Sequence, residues 1–277
     1  MKKYKIGEFS KYLGVTADFV KYYEQLNVVS AEKTTVPKRY AFHNAGRVIE
    51  CLRLKSCGFH SREIRQIFAS VSSDELMTMM QENADQLKKE MMQKQVSYQG
   101  HQALAAWAAR TKDNPAPYEY LELPAHYFLH HTDYDNFVED PAVYQALPSW
   151  MEWMPAVKSA RRLRFAHDPA GPVLHDKQWG FIVEKSFAEQ YGLTINEACL
   201  LVPAQRVFCY RLYNTPTHPD PALALQDALR AANENNVNIT GEVIQDILLR
   251  YNDHGVNRCW SNVYFLLSQS ILANKGI

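Results

Sequence analysis

The sequence predicts an α+β protein built from a winged helix-turn-helix, a long coiled-coil helix and a second, α+β domain, in that order. Two helical patterns separated by a glycine open the chain, which predicts the helix-turn-helix. A heptad pattern without proline runs from Ser73 to about Arg110, and alternating segments typical of strands begin near Tyr118. We therefore place the domains at residues 1–72, 73–112 and 118–277.

The first two helices are predicted from apolar spacing around a glycine turn. The segment from Tyr4 to Leu13 has apolar residues at helical spacing, and Gly14 follows it as a residue that commonly ends helices. Thr16 or Asp18 can cap a second helix over about residues 17–25. In a helix-turn-helix, this second helix enters the major groove of DNA.

The next segment predicts a wing and two further helices. Residues 30–42 indicate a short hairpin that contains Thr34, Thr35, Val36 and Pro37. Residues 44–56 predict a third helix, and Gly58 ends it. Ser61 is expected as the N-cap of a fourth helix.

Two rows of mostly apolar residues repeat every seven positions along residues 73–110 and predict one long helix. The rows comprise Met80, Leu87, Lys94, His101 and Ala108, and Met77, Ala84, Met91, Tyr98 and Ala105. A helix this long with one apolar stripe requires a partner, so we expect a homodimer joined by a coiled coil. The alternative is a helix packed on its own chain.

The segment after Lys112 predicts a linker into the second domain, because residues 113–117 contain two prolines. Beyond it, strands are expected at about residues 118–123, 127–132, 179–184, 199–203, 206–212 and 243–249. Helices are expected at about 141–158, 186–191, 220–235 and 259–272, although the last could hold a strand. These elements predict an α+β domain.

The composition argues against a membrane protein and against a disulfide-rich secreted one. No apolar run reaches the roughly 18 residues that a membrane span requires. The first ten residues lack the apolar block of a signal peptide, and the five cysteines form no CxxC motif. We therefore expect a reduced, cytoplasmic protein without a membrane partner.

The net charge of zero hides a basic start and an acidic remainder. Residues 1–70 carry 13 Lys or Arg against 6 Asp or Glu, whereas the rest carries 17 against 24. Basic modules of this size attract phosphate backbones through counterion release. The alternative is a solvated basic surface without a partner.

Five short motifs in the first domain agree in order and spacing with one known family. They are Ile6-Gly7-Glu8-Phe9, Gly14-Val15-Thr16, Lys21-Tyr22-Tyr23-Glu24, Arg39-Tyr40, and Gly58-Phe59 followed by Glu63-Ile64. In these motifs the segment resembles the MerR family of transcription regulators. Lys21 stands where that family usually has arginine, which keeps the charge but loses bidentate geometry.

The resemblance implies a homodimer that binds a palindrome in double-stranded promoter DNA. Effector binding would then distort the DNA so that RNA polymerase can start transcription. Tyr23 is expected in the core beside Phe19. The side chains expected at bases or phosphates are Thr16, Asp18, Lys21 and Tyr22, with Lys38, Arg39 and Tyr40 from the wing.

Weaker motifs in the second domain also match a known fold. They are the segment 179–184, Trp-Gly-Phe-Ile-Val-Glu, then Val202-Pro203-Ala204 and the stretch 224–241. In these the domain resembles GyrI-like effector-binding domains. Multidrug-sensing relatives bind lipophilic cations in an aromatic cage with one buried acid, where the rings and the carboxylate both attract a cation.

Ligand-binding candidates follow from that resemblance. Trp150, Trp153 and Met154 share a helical face in a dense run of large side chains. Phe265 and Glu152 are secondary candidates. The residues predicted to bind a lipophilic, cationic effector are Trp150, Trp153, Met154, Trp179, Glu184, Asp246 and Tyr264.

We expect no enzymatic activity, no catalytic residues, no cofactor and no metal. Two alternatives stay open at this point. The chain could be a regulator of the same architecture that senses metal or oxidation through cysteine. It could also resemble those GyrI-like domains that hydrolyse a reactive ligand, with Glu184 and a tyrosine acting on it.

Overall fold

The computed structural model describes residues 2–32, 37–112, 114, 117–134, 136–168, 171–239 and 241–267. The chain divides into two compact units, Met1–Met92 and Gln93–Ile277. The boundary lies within one continuous helix, Ser73–Lys112. Most of the predicted linker, including Asp113 and Pro115, lies outside the described residues.

The first unit is a small helical module with one two-stranded sheet. Its elements are β1 (Lys3–Lys5), α1 (Ile6–Leu13), α2 (Ala17–Gln25), β2 (Arg39–Ala41), α3 (His43–Ser56), α4 (Ser61–Ala69) and the first half of α5 (Ser73–Lys112). The four predicted short helices and the long helix are all confirmed. Thr16 caps α2 and Gly14 ends α1 in the left-handed conformation, as expected.

Three details of the first unit differ from the sequence prediction. Helix α1 begins at Ile6 rather than Tyr4, because β1 pairs antiparallel with β2. The N-cap of α4 is His60 rather than Ser61, since the Glu63 carboxylate accepts the His60 N–H at 2.6 Å. The Glu32 N–H donates to the Arg39 carbonyl at 2.9 Å, as in a hairpin, but Thr34, Thr35 and Val36 lie outside the described residues.

Among the described residues, the second unit is one nine-stranded antiparallel sheet with helices against it. Its strand order is β3-β9-β11-β10-β6-β7-β4-β5, and β8 pairs with β4. The strands are β3 (Tyr118–Leu123), β4 (His126–Asp133), β5 (Asn136–Phe137), β6 (Lys158–Asp168), β7 (Gly171–Glu184), β8 (Cys199–Val202), β9 (Gln205–Pro216), β10 (Gly241–Asp253) and β11 (Val256–Leu266). The helices are α6 (Pro141–Met151), α7 (Lys185–Tyr191), α8 (Pro221–Ala224) and α9 (Gln226–Glu234).

The six predicted strands are confirmed, but two predicted helices in this unit are wrong in part. The segment 259–272, expected as a helix that could hold a strand, contributes to strand β11, which ends at Leu266, so the alternative is confirmed there. The helix expected at 141–158 ends at Met151, and the strand β6 that begins at Lys158 was not predicted. A proline interrupts helical hydrogen bonding, and Pro155 lies between these two elements.

Gly180 lets strands β4 and β7 approach closely. A Cβ at this position would lie 2.0 Å from the carbonyl oxygen of Leu129, a distance that no side chain tolerates. The close approach fixes the register in which His126 of β4 lies opposite Glu184 of β7. A backbone contact therefore brings two polar side chains to the same end of the sheet.

Helix α5 leaves much of its apolar stripe exposed in the single chain. Met77 is 70% exposed, Met91 66% and Tyr98 58%. A long apolar stripe at heptad spacing is typical of helices that pair with another chain. Pairing of this stripe with a second chain stays a prediction.

Neither a membrane helix nor a disulfide is present among the described residues. No helix there combines the length and hydropathy needed to cross a bilayer. All five cysteines are free, and Cys51, Cys209 and Cys259 are buried.

Candidate functional site

The exposed face of α2 is the first candidate site. Thr16 accepts the Phe19 N–H at 3.1 Å through its side chain, which fixes the start of the helix. Asp18, Lys21 and Tyr22 are exposed along the helix. The Lys21 ammonium lies 3.1 Å from Asp18, a weak surface pair that a stronger anion could replace.

Tyr23 belongs to the core of the first unit, as the sequence predicted. Its side chain is 1% exposed, and its ring centroid lies 4.9 Å from that of Phe19. The neighbouring Tyr22 turns outward instead. Of the adjacent tyrosines, one therefore anchors α2 and the other is accessible.

Glu24 joins α2 to the wing strand β2. Its carboxylate accepts the Tyr40 hydroxyl at 2.6 Å and the Lys38 ammonium at 2.8 Å. Burial alone would raise the pKa of Glu24, but the hydrogen bonds from Lys38 and Tyr40 outweigh it and lower that pKa. Glu24 therefore holds the wing by two charge-assisted hydrogen bonds.

The predicted wing residues differ in accessibility. Lys38 is exposed and Arg39 is partly exposed. Tyr40 is 1% exposed, stacks on Phe9 at 5.3 Å between ring centroids, and gives its hydroxyl to Glu24. Tyr40 thus lies in the core rather than on the outer surface, and its role at DNA stays a prediction.

An open groove runs between α1, α2 and the wing. Its volume is about 920 Å³. Three lysines line this groove, one each from the start of α1, from α2 and from the wing. Glu8 and Glu24 also line the groove. The lining lysines are Lys5, Lys21 and Lys38.

A cavity of about 210 Å³ in the second unit is the second candidate site. Adjacent strands β11, β10, β6, β7 and β4 each contribute to it. Its polar residues are His126, Lys158, Glu184, Asp246 and Tyr264, and its apolar ones are Leu123, Ala156, Ile182, Val183 and Phe187. Three predicted ligand residues, Glu184, Asp246 and Tyr264, are therefore brought together.

Asp246 is the buried acidic residue that lines this cavity. Its side chain is 4% exposed. One carboxylate oxygen accepts the Asn262 backbone N–H at 3.0 Å. The other accepts the Lys158 ammonium at 3.1 Å and the Tyr264 hydroxyl at 3.2 Å. Burial and the neighbouring Asp246 raise the pKa of Tyr264 well above its usual range, so the hydroxyl stays a donor.

Glu184 and His126 complete the polar rim. The Glu184 carboxylate accepts the Ser186 hydroxyl. His126 Nδ1 lies 2.6 Å from the Pro124 carbonyl oxygen, which can only accept, so Nδ1 carries the proton. Burial lowers the pKa of His126 and Lys158 adds to this effect; together they outweigh the Pro124 hydrogen bond and the two carboxylates, which raise that pKa. The imidazole is therefore neutral at neutral pH.

The other predicted ligand residues do not line this cavity. Trp150 is fully buried and donates its indole N–H to the Thr194 carbonyl at 2.9 Å. Trp153 packs on Phe187, which does line the cavity, at 5.9 Å between ring centroids. Their predicted role in ligand binding stays a prediction.

The remaining candidates lie elsewhere in the second unit. Met154 is exposed, and Trp179 donates its indole N–H to the Ser159 hydroxyl at 2.7 Å. Phe265 is buried in a separate apolar cluster, and Glu152 is exposed. The dense run of large side chains at residues 149–154 thus supplies core contacts more than cavity surface.

A chain of hydrogen bonds leads from the cavity to α5, and the sequence alone did not indicate it. Asn262 donates its backbone N–H to Asp246 and accepts the Trp107 indole N–H at 2.8 Å on its side-chain oxygen. Trp107 also packs against Trp260 and Tyr213. The buried acid and the long helix therefore share one residue, Asn262.

The alternative of a metal or thiol sensor requires clustered metal ligands or a reactive cysteine. In the part of the chain that the structure describes, no three His, Cys, Asp or Glu side chains converge to hold a metal ion. Burial raises the pKa of the Cys51 thiol to about 12 and also raises that of Cys209. High thiol pKa values disfavour the reactive thiolate.

The Glu24 contacts generate a stability prediction. Replacing Glu24 with Gln should lower the free energy of unfolding at neutral pH by about 1–2 kcal/mol, because charge-assisted hydrogen bonds become neutral ones. The lowered pKa of Glu24 means that its contribution is present above the unfolded-state pKa and lost as pH falls through the folded-state value. The variant should therefore approach the wild type in acid.

Urea unfolding followed by circular dichroism at neutral and acidic pH measures this difference. Glu50→Gln is the matched control, because Glu50 pairs with Arg53 on an exposed helix face, where such pairs contribute little. A Glu24→Gln protein as stable as the wild type at neutral pH would contradict the role assigned to Glu24.

Comparison with known protein families gives a match in the first unit. The model of the MerR HTH family of regulatory proteins matches residues 4–71. No curated protein matches the chain by sequence. The first unit contains the matched segment in full, together with its exposed α2 and its wing. Residues 4–71 are the part of the chain to which this match applies.

Two solved structures are similar to the chain at low identity. One is EcmrR in the cryo-EM structure of an EcmrR–DNA complex in EcmrR-RPo, with 15% identity, a TM-score of 0.35, and coverage of 96% of this chain and 98% of that chain. The other is the crystal structure of the EcmrR C-terminal domain, with 13% identity, a TM-score of 0.33, and coverage of 55% and 98%. The family match identifies residues 4–71 as a helix-turn-helix domain of the MerR family.

Proposed function

We propose that this protein is a transcription regulator whose second unit senses a small lipophilic cation. It binds a palindrome in promoter DNA as a homodimer, through the exposed face of α2 and the wing. Ligand binding in the Asp246 cavity distorts the bound DNA and helps RNA polymerase to start transcription. The cavity binds its ligand without turnover, in a GyrI-like manner.

The DNA-binding part of the proposal is supported by charge and exposure. Lys21, Tyr22 and Lys38 are exposed on α2 and the wing, and residues 1–70 are strongly basic. Lysine and tyrosine side chains commonly contact phosphates, which position a recognition helix on the duplex. The exposed apolar stripe of α5 supports pairing of two chains.

The observation that carries the sensing part is the link from Asp246 through Asn262 to Trp107. A ligand changes a distant site only if it binds one of two states more tightly than the other. A ligand at Asp246 alters the position or charge of that carboxylate. The Asn262 N–H is bonded to it, and the Asn262 side chain holds α5, whose residues Ser73–Met92 belong to the first unit.

The cavity also suits the proposed ligand class. Two carboxylates, Asp246 and Glu184, face one ammonium, Lys158, beside a neutral imidazole, His126. The remaining walls are apolar and aromatic. Such a site attracts a weakly hydrated cation more than an anion, because the buried Asp246 carboxylate, the exposed Glu184 carboxylate and the ring faces all favour positive charge.

The ligand class is tested by quenching of tryptophan fluorescence. Benzyltrimethylammonium should bind saturably to the full chain, whereas its neutral carbon isostere, neopentylbenzene, should bind at least about tenfold more weakly. Asp246→Asn should abolish the preference for the cation, because Lys158 then stands in the cavity without its counter-charge.

Glu152→Gln is the matched control, because Glu152 is exposed and does not line the cavity. Circular dichroism checks that each variant is folded. Equal binding of the cation and the neutral isostere by the wild type would refute the cation-sensing proposal, and the screen would then pass to neutral and anionic ligands.

Coupling to DNA is tested by Asn262→Ala. This variant keeps the backbone N–H that donates to Asp246 but loses the side-chain oxygen that holds Trp107. We expect cation affinity to change less than about threefold, while the response of promoter transcription to the cation falls by about tenfold. Transcription in vitro with purified RNA polymerase measures the response, and operator titration without ligand measures DNA affinity.

Trp107→Phe removes the same hydrogen bond from the other side and should give the same uncoupled behaviour. Trp179→Phe is the control, since its indole bonds to Ser159 instead. A full transcription response in Asn262→Ala would show that the signal does not pass through this residue.

A further inference from the structure

We propose that Lys158 is an internal counter-ion that occupies the cation site, so that the ligand must replace its ammonium on Asp246. This inference rests on the proposed function and sharpens its ligand class to a single, weakly hydrated positive charge. It also assigns Lys158 as a residue that sets affinity and specificity.

The geometry places the lysine where a ligand cation would go. Lys158 Nζ lies 3.1 Å from a carboxylate oxygen of Asp246, and both residues line the cavity. The two partners differ in accessibility, because the Lys158 side chain is 39% exposed and that of Asp246 only 4%. The carboxylate is fixed inside, whereas the ammonium end can move into water.

The fixed partners of Asp246 remain when the lysine leaves. The Asn262 backbone N–H and the Tyr264 hydroxyl both come from β11 and hold the carboxylate in place. Lys158, in contrast, is the first residue of strand β6. Its flexible four-carbon stem allows the ammonium to swing outward without moving the sheet.

The size of the cavity favours such an exchange. At about 210 Å³ it is smaller than the roughly 300–1,000 Å³ of most small-molecule sites. Withdrawal of the lysine stem enlarges the space directly beside Asp246. The body of the ligand would then contact the apolar side chains of Leu123, Ile182 and Phe187.

The exchange also accounts for the charge and hydration of the ligand. One positive charge leaves Asp246 and one arrives, so the buried carboxylate is never left unpaired. The departing ammonium is strongly hydrated and regains its water, whereas a quaternary ammonium loses little hydration on entry. A neutral ligand would have to displace Lys158 and leave Asp246 uncompensated, which is unfavourable.

The test compares calorimetric titrations of full-length wild type, Lys158→Met and Lys158→Arg with benzyltrimethylammonium. Lys158→Met removes the competing charge and keeps the apolar stem, so it should bind the cation about tenfold more tightly or better. Lys158→Arg keeps a positive charge and should bind no more tightly than the wild type. Neopentylbenzene, the neutral isostere, should still bind Lys158→Met more weakly than the cation does, because it leaves the Asp246 carboxylate uncompensated.

The outcomes separate this inference from the proposed function. Cation binding by the wild type with equal or weaker binding by Lys158→Met would overturn the role of Lys158 and leave the proposed function standing. Absence of cation binding by both proteins would refute the proposed function itself.

A double variant keeps the test decisive if the lone buried carboxylate prevents Lys158→Met from folding. Lys158→Met with Asp246→Asn contains neither charge and should lose the preference for the cation over neopentylbenzene. A folded double variant that still prefers the cation would overturn the proposal, because another group would then supply the attraction.

Discussion

The candidate site of the second unit depends on the hydrogen bonds made by the buried carboxylate of Asp246. A charge buried among five strands is tolerated only when its oxygens are fully paired. The structure meets that need with one ammonium, one hydroxyl and one backbone N–H, from Lys158, Tyr264 and Asn262. The three partners differ in their surroundings: Lys158 is partly exposed, Tyr264 is buried, and Asn262 also accepts the Trp107 indole N–H of helix α5. One electrostatic requirement thus links the proposed ligand cavity to helix α5.

The first unit was predictable because its signals are local. Apolar spacing, the Thr16 cap and the left-handed Gly14 each act within a few residues of the chain, and the structure has them as expected. The pairing of β1 with β2 was missed because it joins segments about 35 residues apart in sequence, which no local pattern reports. The same limit explains Tyr40, whose burial depends on Phe9 and on Glu24.

Strand β11 shows why a helix was predicted in error. Residues 261–265 are all buried, including the polar Ser261 and Asn262, so this strand shows no alternation of buried and exposed residues there. The sequence shows only an apolar run at residues 263–267, and such a short run cannot distinguish a strand from a helix. The sequence contains a turn signal just before this strand, because Gly255 readily adopts positive φ. In the structure His254 and Gly255 both have positive φ, as the two-residue turn of a hairpin requires. Asp253-His254-Gly255 thus marked the β10–β11 hairpin. For β6, Pro155 could have ended the preceding helix before Lys158.

Part of the cavity could also be anticipated from residue types. Asp246, Glu184 and Tyr264 were chosen for their chemistry, and the register of the sheet brings them together. Lys158 was missed because its strand was missed, and Asn262 because a side chain bonded to Trp107 leaves no pattern in sequence. The tryptophans near residue 150 attracted attention by their size, but size alone does not distinguish a core ring from a ligand-binding one.

The central claim is that occupation of the cavity is transmitted to α5 through Asn262. The most direct measurement is the indole N–H resonance of Trp107 in a ¹H–¹⁵N NMR spectrum, assigned from Trp107→Phe, during titration with benzyltrimethylammonium. The account predicts that this resonance moves as the cation saturates the site, and that it moves far less in Asn262→Ala, where the hydrogen bond is absent. A Trp107 resonance that stays fixed while the cation binds would contradict the account.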